Sequence, residues 1–398
     1  MLQRKRIYQL ICTAVFVGGL TGCASSAPSV PDTVMSAGDG MLAATDTGIY
    51  ELQTVFPDSA NLFYTDVETK ERIFLCANPN CSHNDETCTS YIANPSAMFP
   101  PMLLRTEDQL LVFFTEPTDA SGPHAMTMDF DGSNRKDVFE LSANQQPLGS
   151  FYIAGNRLWF DLMETDETGS NTYQLWCADL QKCHAEKEMD LGTDADYFTL
   201  CGCTDEKLCF RRVSEEGSSY CMYSLQEYTM QDPFYVDSSV SGNSFVSDGY
   251  LFALDETSQT VIRTNLATNE QATCRFLMKE GYGAPDMRYL FDGNLMLTET
   301  QNESTDGRYN ICAYVLNFQT GDCAEMTLRT AYNDRPVVVL SEAGDLCYVA
   351  VDYKKDSTME NAPAAESGSV TNVYAFITKQ DYLDSNSNGY QMISDCLG

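Results

Sequence analysis

The sequence has 398 residues, of which 43% are hydrophobic and 20% are charged, so it can bury a core and is not a disordered chain. Its 24 basic and 57 acidic residues give a net charge of −33. This balance argues against nucleic acid as a partner, because binding a polyanion requires a basic surface. The chain contains three histidines, which limits catalysis that depends on imidazole.

Residues 1–22 have the pattern of a signal peptide. A basic start at residues 4–6 precedes a mostly apolar stretch at residues 7–20, which is shorter than the roughly 20 residues of a membrane-spanning helix. The stretch ends in Leu20-Thr21-Gly22-Cys23, which resembles the bacterial lipobox, where cleavage precedes an acylated cysteine. This pattern predicts a lipoprotein held at the extracytoplasmic face of the cell membrane through Cys23. The alternative is a secretory peptide with an incidental cysteine.

Residues 23–40 are rich in Ser, Ala, Pro and Gly and are predicted to form a flexible tether. Residues 41–398 are predicted to form one domain of short strands with almost no helical periodicity. A turn containing Gly, Asp or Asn, followed by an apolar or aromatic strand, recurs along this domain. The copies are residues 48–52, 108–114, 155–162, 206–210, 248–254, 292–298 and 344–351.

The repeat has a nearly constant length. The leucines at positions 110, 158, 208, 251, 295 and 346 are 48, 50, 43, 44 and 51 residues apart. Further short strands lie before and after each copy, and the strands that follow a copy end in polar hairpin turns. Each unit therefore has about four antiparallel strands. A ring of such sheets buries both faces of each one. The sequence predicts an all-β fold, a β-propeller of about seven four-stranded antiparallel blades. Six or eight blades, or a pair of β-sandwiches, are the alternatives.

The first unit contains a Cys/His-rich insertion at residues 76–91. Cys76, Cys81, His83 and Cys88 have the spacing C-x4-C-x-H-x4-C. Three thiolates and one imidazole form a known tetrahedral zinc set, although the common C-x2-C spacing is missing. Two interpretations stand: a structural zinc site, or a disulfide among the three cysteines with His83 solvated. Either one would cross-link a loop that has no hydrophobic core of its own.

Fourteen cysteines remain when Cys12 and Cys23 are set aside, an even number that permits disulfides in an exported protein. Predicted hairpins favour three pairs, namely Cys177 with Cys183, Cys209 with Cys221, and Cys312 with Cys323. The alternative is that many of these cysteines act as small buried apolar residues.

The lipobox, the propeller repeat and the motif at residues 75–88 together resemble a family of exported lipoproteins of Firmicutes, especially gut Clostridia. The resemblance covers nearly the whole chain after residue 22 and is most specific at residues 62–91. It implies a propeller of the TolB-like or Kelch-like kind, and it implies no settled activity or ligand.

No nucleophile elbow, phosphate-binding glycine loop or dinucleotide fingerprint is present. His124 and His184 are predicted to be solvated near turns, so no catalytic residue is assigned. The sequence therefore favours a monomeric, non-enzymatic binding or scaffold module that recognises a surface protein, a peptide or a glycan through its loops. The alternatives are a glycan-active hydrolase or lyase on the same fold, and a surface sensor that responds to zinc or to redox state. Ligand-binding residues stay unassigned.

Overall fold

The computed structural model describes residues 41–55, 59–93, 101–117, 121–204, 206–215, 217–232, 244–247, 249–291, 293–302, 310–355 and 370–396. The predicted signal peptide, Cys23 and the predicted tether lie outside these ranges.

The described strands make seven blades, numbered here in chain order. Blade 1 consists of β1 (Leu42–Ala44), β2 (Gly48–Val55), β3 (Ser59–Asp66) and β4 (Glu71–Phe74), with an extra strand β5 (Tyr91–Ala93) paired to β3. Blade 2 consists of β6 (Met102–Arg105), β7 (Leu110–Phe114), β8 (His124–Met128) and β9 (Lys136–Glu140). Blade 3 consists of β10 (Gln145–Ala154), β11 (Arg157–Thr165), β12 (Asn171–Asp179) and β13 (His184–Thr193).

The other blades follow the same order. Blade 4 consists of β14 (Asp196–Thr204), β15 (Lys207–Ser214), β16 (Gly217–Ser224) and β17 (Thr229–Met230). Blade 5 consists of β18 (Ser244–Ser247), β19 (Tyr250–Asp255), β20 (Thr260–Asn265) and β21 (Gln271–Arg275). Blade 6 consists of β22 (Asp286–Phe291), β23 (Asn294–Thr300), β24 (Ile311–Asn317) and β25 (Asp322–Glu325). Blade 7 consists of β26 (Val339–Ala343), β27 (Leu346–Lys355), β28 (Val370–Thr378) and β29 (Gln391–Met392).

The prediction of an all-β propeller with about seven four-stranded blades is confirmed. Each copy of the sequence repeat lies at the second strand of a blade, from β2 to β27. The turn that leads into this strand needs a left-handed backbone in several blades, as at Gly155 (φ 59°) and Gly249 (φ 73°). Glycine adopts this conformation without steric cost, which explains its presence in these turns.

The ring is held by apolar side chains between neighbouring blades. Within the described ranges, one buried apolar cluster lies at each of the seven blade interfaces. Leu52 of blade 1 packs with Leu103 of blade 2, for example. Ile49 of blade 1 packs with Tyr348 and Phe376 of blade 7, so the last interface closes the circle. Each sheet thus buries both of its faces, as the repeat predicted.

The C-terminal end of the chain secures the closure. After β29, a short strand β30 (Ser394–Asp395) pairs in parallel with β4 of blade 1. The guanidinium of Arg72, a residue that is 1% exposed, donates to both carboxylate oxygens of Asp395 at 3.1 Å. It also donates to Glu51 at 2.9 Å, and Glu51 accepts a hydrogen bond from the Tyr374 hydroxyl of blade 7 at 2.7 Å. This closure cluster joins the first blade to the last.

Hairpin topology gives the propeller two different ends. The turns between first and second strands and between third and fourth strands lie at one end, called the turn end here. In blade 7 this end also carries helix α1 (Lys379–Leu383) and a 3-10 turn (Ser387–Gly389). The links between second and third strands, and from blade to blade, lie at the other end, called the connection end. The Cys/His-rich insertion belongs to the connection end, since it follows β4.

The predicted disulfides are not formed. The fourteen cysteines from Cys76 to Cys396, all within the described ranges, form no disulfide, and most of them are buried, as small apolar residues would be. Strand register explains why the predicted partners miss each other. Opposite Cys177, Cys209, Cys312 and Cys323 lie Glu186, Met222, Glu299 and Leu316, respectively.

Candidate metal centre

The Cys/His-rich loop leaves blade 1 after β4 and returns to it as β5. Both of its ends are hydrogen-bonded to the same residue of β3, because the Leu75 N–H donates to the Leu62 carbonyl at 2.9 Å and the Leu62 N–H donates to the Ser90 carbonyl at 2.8 Å. Inside the loop, the side chains of Asn78 and Asp85 accept from backbone N–H groups two residues ahead and fix tight turns. The loop is therefore folded back on itself at a defined place on the sheet.

The structure brings the four predicted ligand residues together. One ligand atom from each of Cys76, Cys81, His83 and Cys88 lies within 4.8 Å of the other three. The Nδ1 atom of His83 is 3.3 Å from the Sγ atom of Cys88. Ligand atoms arranged tetrahedrally around Zn²⁺ at bond lengths of about 2.0–2.3 Å are about 3.5–3.8 Å apart. The cluster can therefore hold one small metal ion.

Each sulfur of the cluster receives a backbone N–H from the second residue after it. The His83 N–H donates to Cys81 Sγ at 3.4 Å, and the Ser90 N–H donates to Cys88 Sγ at 3.3 Å. The Asn78 N–H donates to Cys76 in the same way. Donors aimed at sulfur stabilise negative charge on it, so this local geometry suits thiolates.

Two of the thiols, those of Cys76 and Cys88, differ in acidity. Burial disfavours ionisation of Cys76, but the Asn78 N–H and the neighbouring thiols outweigh it and lower the pKa of this thiol. Burial raises the pKa of Cys88 to about 11. In the absence of a cation the three sulfurs therefore do not all ionise near neutral pH, and a divalent metal would supply the missing positive charge.

The histidine is held in place by contacts on two sides. His83 has a left-handed backbone (φ 56°), and its carbonyl accepts a hydrogen bond from the Asn61 side chain of β3 at 2.9 Å. Its ring stacks on Phe74 of β4, with ring centroids 4.1 Å apart and planes inclined by 10°. These contacts aim the imidazole at the sulfurs rather than at solvent.

Blade 2 contributes an arginine that clamps the end of the loop. Arg135, which precedes β9, donates to the Thr89 carbonyl at 2.5 Å and to the Tyr91 carbonyl at 2.6 Å. At Gly132 (φ 80°) an added Cβ would lie 2.5 Å from the Thr89 carbonyl oxygen, so the close approach of the two blades needs glycine there. Arg135 could not be recognised from the sequence, because it lies 47 positions after Cys88 and belongs to no local motif.

The other histidines do not join this cluster. His124 stacks on Phe114, and its Nδ1 atom is 3.0 Å from the Gly122 carbonyl oxygen. His184 is exposed and lies 4.0 Å from Glu186. In the part of the chain that is described, no other group of three or more His, Cys, Asp or Glu side chains has metal-binding spacing. The described residues also include no helix with the length and apolar character needed to cross a membrane.

Comparison with known proteins supports the fold. A puromycin hydrolase superposes with a TM-score of 0.50 at 12% identity over 84% of this chain and 58% of that one. A prolyl endopeptidase superposes with a TM-score of 0.50 at 11% identity over 88% and 47%. An oligogalacturonate lyase from Vibrio parahaemolyticus gives 0.48 at 10% identity over 77% and 82%. No protein-family model and no curated protein matches the chain.

These comparisons correct one expectation from the sequence. The prediction that the chain is not an enzyme is contradicted, because the puromycin hydrolase and the prolyl endopeptidase with which its fold superposes are enzymes. The prediction rested on the absence of known catalytic motifs and on the use of propellers as binding scaffolds. At these identities the likeness shows the fold alone, and this chain spans about half of the hydrolase and endopeptidase chains.

Proposed function

We propose that this protein is a propeller stabilised by one structural Zn²⁺ ion bound to Cys76, Cys81, His83 and Cys88. The observation that carries the proposal is the convergence of these four side chains, with an N–H donor directed at each sulfur. Zinc suits the set, because it accepts thiolate and imidazole ligands in a tetrahedron. Protein atoms would fill all four positions, which is typical of structural rather than catalytic zinc.

The disulfide interpretation accounts for less of this geometry. A single disulfide would use two of the three sulfurs and would leave the third, together with His83, without a role. Sulfurs in a disulfide also carry no negative charge, so the backbone N–H groups that donate to them would have no thiolate to stabilise. Zinc uses all four side chains and all three donors.

The ion would organise the connection end between blades 1 and 2. The loop from Cys76 to Cys88 is mostly polar and exposed, so it cannot hold its shape by apolar burial. Arg135 of blade 2 binds the carbonyls of Thr89 and Tyr91, which follow directly after this loop. Metal binding would therefore fix the loop and its contact with the neighbouring blade in a single step.

Metal substitution tests this proposal. The purified protein is expected to contain one zinc per chain, and its Co²⁺ form is expected to show the sulfur-to-cobalt absorption of a tetrahedral thiolate site. Cys88→Ser should lose both signals. Cys183→Ser is the matched control, since Cys183 is a half-buried thiol in a turn outside the cluster. Equal loss in the control, or a disulfide between two of the loop cysteines in the purified protein, would contradict the proposal.

We further propose that the protein is a monomeric lipoprotein, anchored through acylated Cys23 outside the cell, that engages a glycan, a peptide or a surface protein at its connection end. Two of the links between blades at this end are long. Residues 276–285 and 326–338 join blades at the connection end, whereas two residues make the turn at 155–156. Long loops on a rigid scaffold are the usual place for recognition. Tyr332, which is 47% exposed at this end, offers an aromatic surface.

The recognition proposal is tested with the soluble fragment from Ala24 to Gly398. It is incubated with cell-wall glycans, dietary polysaccharides and peptides, and mass spectrometry follows retention and chemical change together. Retention that Tyr332→Ala weakens supports recognition at the connection end. Tyr228→Ala is the control, because Tyr228 is 48% exposed in a third-to-fourth-strand turn at the turn end. Shortened glycans would instead support the hydrolase or lyase alternative. Equal losses in both variants would contradict the assigned end.

Anchoring is tested separately in cells. Labelling with a fatty-acid analogue is expected to mark the native protein and to leave Cys23→Ala unlabelled and released from the membrane fraction. A labelled Cys23→Ala variant would contradict the lipid anchor.

A further inference from the structure

A second pair of thiols lies in blade 4, separate from the metal loop. The Sγ atoms of Cys201 in β14 and Cys209 in β15 are 3.7 Å apart, and Cys201 Sγ is 3.3 Å from the Cys209 carbonyl oxygen. Cys209 is fully buried and Cys201 is half-buried. Cys221, the partner that the sequence favoured for Cys209, instead places its sulfur 3.2 Å from Met230 Sδ.

A bulge in β14 makes this pairing. The register passes from Leu200 opposite Phe210 to Gly202 opposite Cys209, which leaves Cys201 as the extra residue. In a regular strand Cys201 and Gly202 would face opposite sides of the sheet. The bulge turns the Cys201 side chain towards the side on which Cys209 lies.

The position of the bulge is fixed by the neighbouring blade. At Gly202 an added Cβ would lie 2.0 Å from Val246 Cγ1 in β18 of blade 5. No other residue of β14 can take the place of this glycine, so the strand cannot slip by one position without a clash. Packing between blades 4 and 5 therefore holds the two sulfurs next to each other.

We propose that Cys201 and Cys209 form a cross-strand disulfide when the protein meets a disulfide oxidant. The two sulfurs of a disulfide lie about 2.05 Å apart. Sulfurs that are already in contact can reach this distance by rotation of their side chains. The neighbouring Cys209 thiol and burial raise the pKa of Cys201, so the reaction is carried out at alkaline pH. There Cys201, the more exposed of the two, loses its proton and attacks the oxidant, forming a mixed disulfide and releasing one thiolate. Cys209 then loses its proton and attacks the Cys201 sulfur, releasing the second thiolate. The two protein thiols lose two electrons, and the oxidant gains them.

The sequence provides a direct readout of this bond. Trypsin cuts after Lys207, which lies between the two cysteines, so residues 188–207 carry Cys201 and Cys203 while residues 208–211 carry Cys209 alone. The reduced, folded protein is treated with glutathione disulfide, blocked with N-ethylmaleimide and digested. The two peptides are expected to appear joined and to separate on reduction.

Variants distinguish the partner thiols. Cys201→Ala should abolish the joined peptides, whereas Cys203→Ala should keep them. Cys209→Ala should stop the reaction at a mixed disulfide between Cys201 and glutathione, which shows that Cys201 is the attacking thiol even if this variant is less stable. The proposal is overturned if Cys201 and Cys209 are both alkylated after oxidation of the folded protein. It is also overturned if the joined peptides persist in Cys201→Ala.

Discussion

Blade 1 carries two polar clusters, which differ in how far apart their members lie in the sequence. The metal loop gathers four side chains from thirteen consecutive positions, Cys76 to Cys88. The closure cluster gathers Glu51, Arg72 and Asp395, whose outer members lie more than 300 positions apart. The first cluster organises one connection, and the second fastens the whole ring.

The difference shows which kind of polar cluster can be read from a sequence. Metal ligands that are close together in the sequence form a recognisable motif, as the three cysteines and one histidine do here. Arg72 is a single arginine in an outer strand, and nothing near it in the sequence marks it as buried. Its partners become neighbours once the seventh blade meets the first.

The closure cluster should show the largest effect on stability. Arg72→Met would leave Glu51 and Asp395 without their cation in a buried place, and removing one member of a buried ion pair costs about 3–5 kcal/mol. Urea unfolding followed by tryptophan fluorescence measures the loss. Arg212→Met is the control, because Arg212 pairs with Asp196 at a more exposed site and should change stability by less than about 1 kcal/mol. Equal effects of the two substitutions would refute the closure role of Arg72.

Metal removal should have an intermediate and local effect. Chelation is expected to lower the free energy of unfolding by about 2–3 kcal/mol, similar to the loss of a cross-link that closes a loop of this length. Hydrogen exchange should accelerate at residues 76–91 and at the Arg135 contact while the inner strands stay protected. Uniform acceleration through all seven blades would show that the metal supports the ring itself, and the distinction between the two clusters would fail.

Asp161 provides the opposite case, a buried carboxylate without a cation beside it. It accepts a hydrogen bond from the Leu200 N–H of blade 4 at 2.8 Å, and burial raises its pKa to about 7. Its other oxygen has no hydrogen-bond partner among the described residues. The folded protein therefore keeps a proton between about pH 4 and pH 7 that the unfolded chain releases, so this group lowers stability as pH rises through that window.

Asp161→Asn removes this pH dependence and keeps an oxygen that can accept from Leu200. The variant should be more stable than the parent by about 1–2 kcal/mol at pH 8, with a smaller gain at pH 5. Unfolding curves at the two pH values measure the difference. A gain that is equal at both values, or larger at pH 5, would show that Asp161 is already ionised in the fold.

Most of the fold was predictable, because the propeller repeats one local pattern. Turns that contain Gly, Asp or Asn, followed by apolar second strands, mark every blade, from residue 48 to residue 351. The added strands β5 and β30 were not predictable, since two or three residues paired to a distant strand carry no periodicity. A hairpin between β13 and β14 joins blades 3 and 4 edge to edge and was missed for the same reason.

The ligands of the candidate site could be predicted from the sequence, but the contacts that hold these ligands in place could not. Spacing indicated Cys76, Cys81, His83 and Cys88, but it left zinc and a disulfide as alternatives. The features that favour zinc are backbone N–H groups, the stacking of Phe74 and the clamp from Arg135, and these depend on the folded geometry. The predicted disulfide pairs failed because strand register, which the sequence does not specify to one residue, decides which side chains meet.

X-ray absorption at the zinc edge of the purified protein tests the central claim most directly. The account predicts one zinc per chain with three sulfur ligands at about 2.3 Å and one nitrogen ligand at about 2.0 Å. Replacing His83 by alanine should remove the nitrogen contribution or the metal. A metal-free protein with two of its loop cysteines joined in a disulfide would contradict the account.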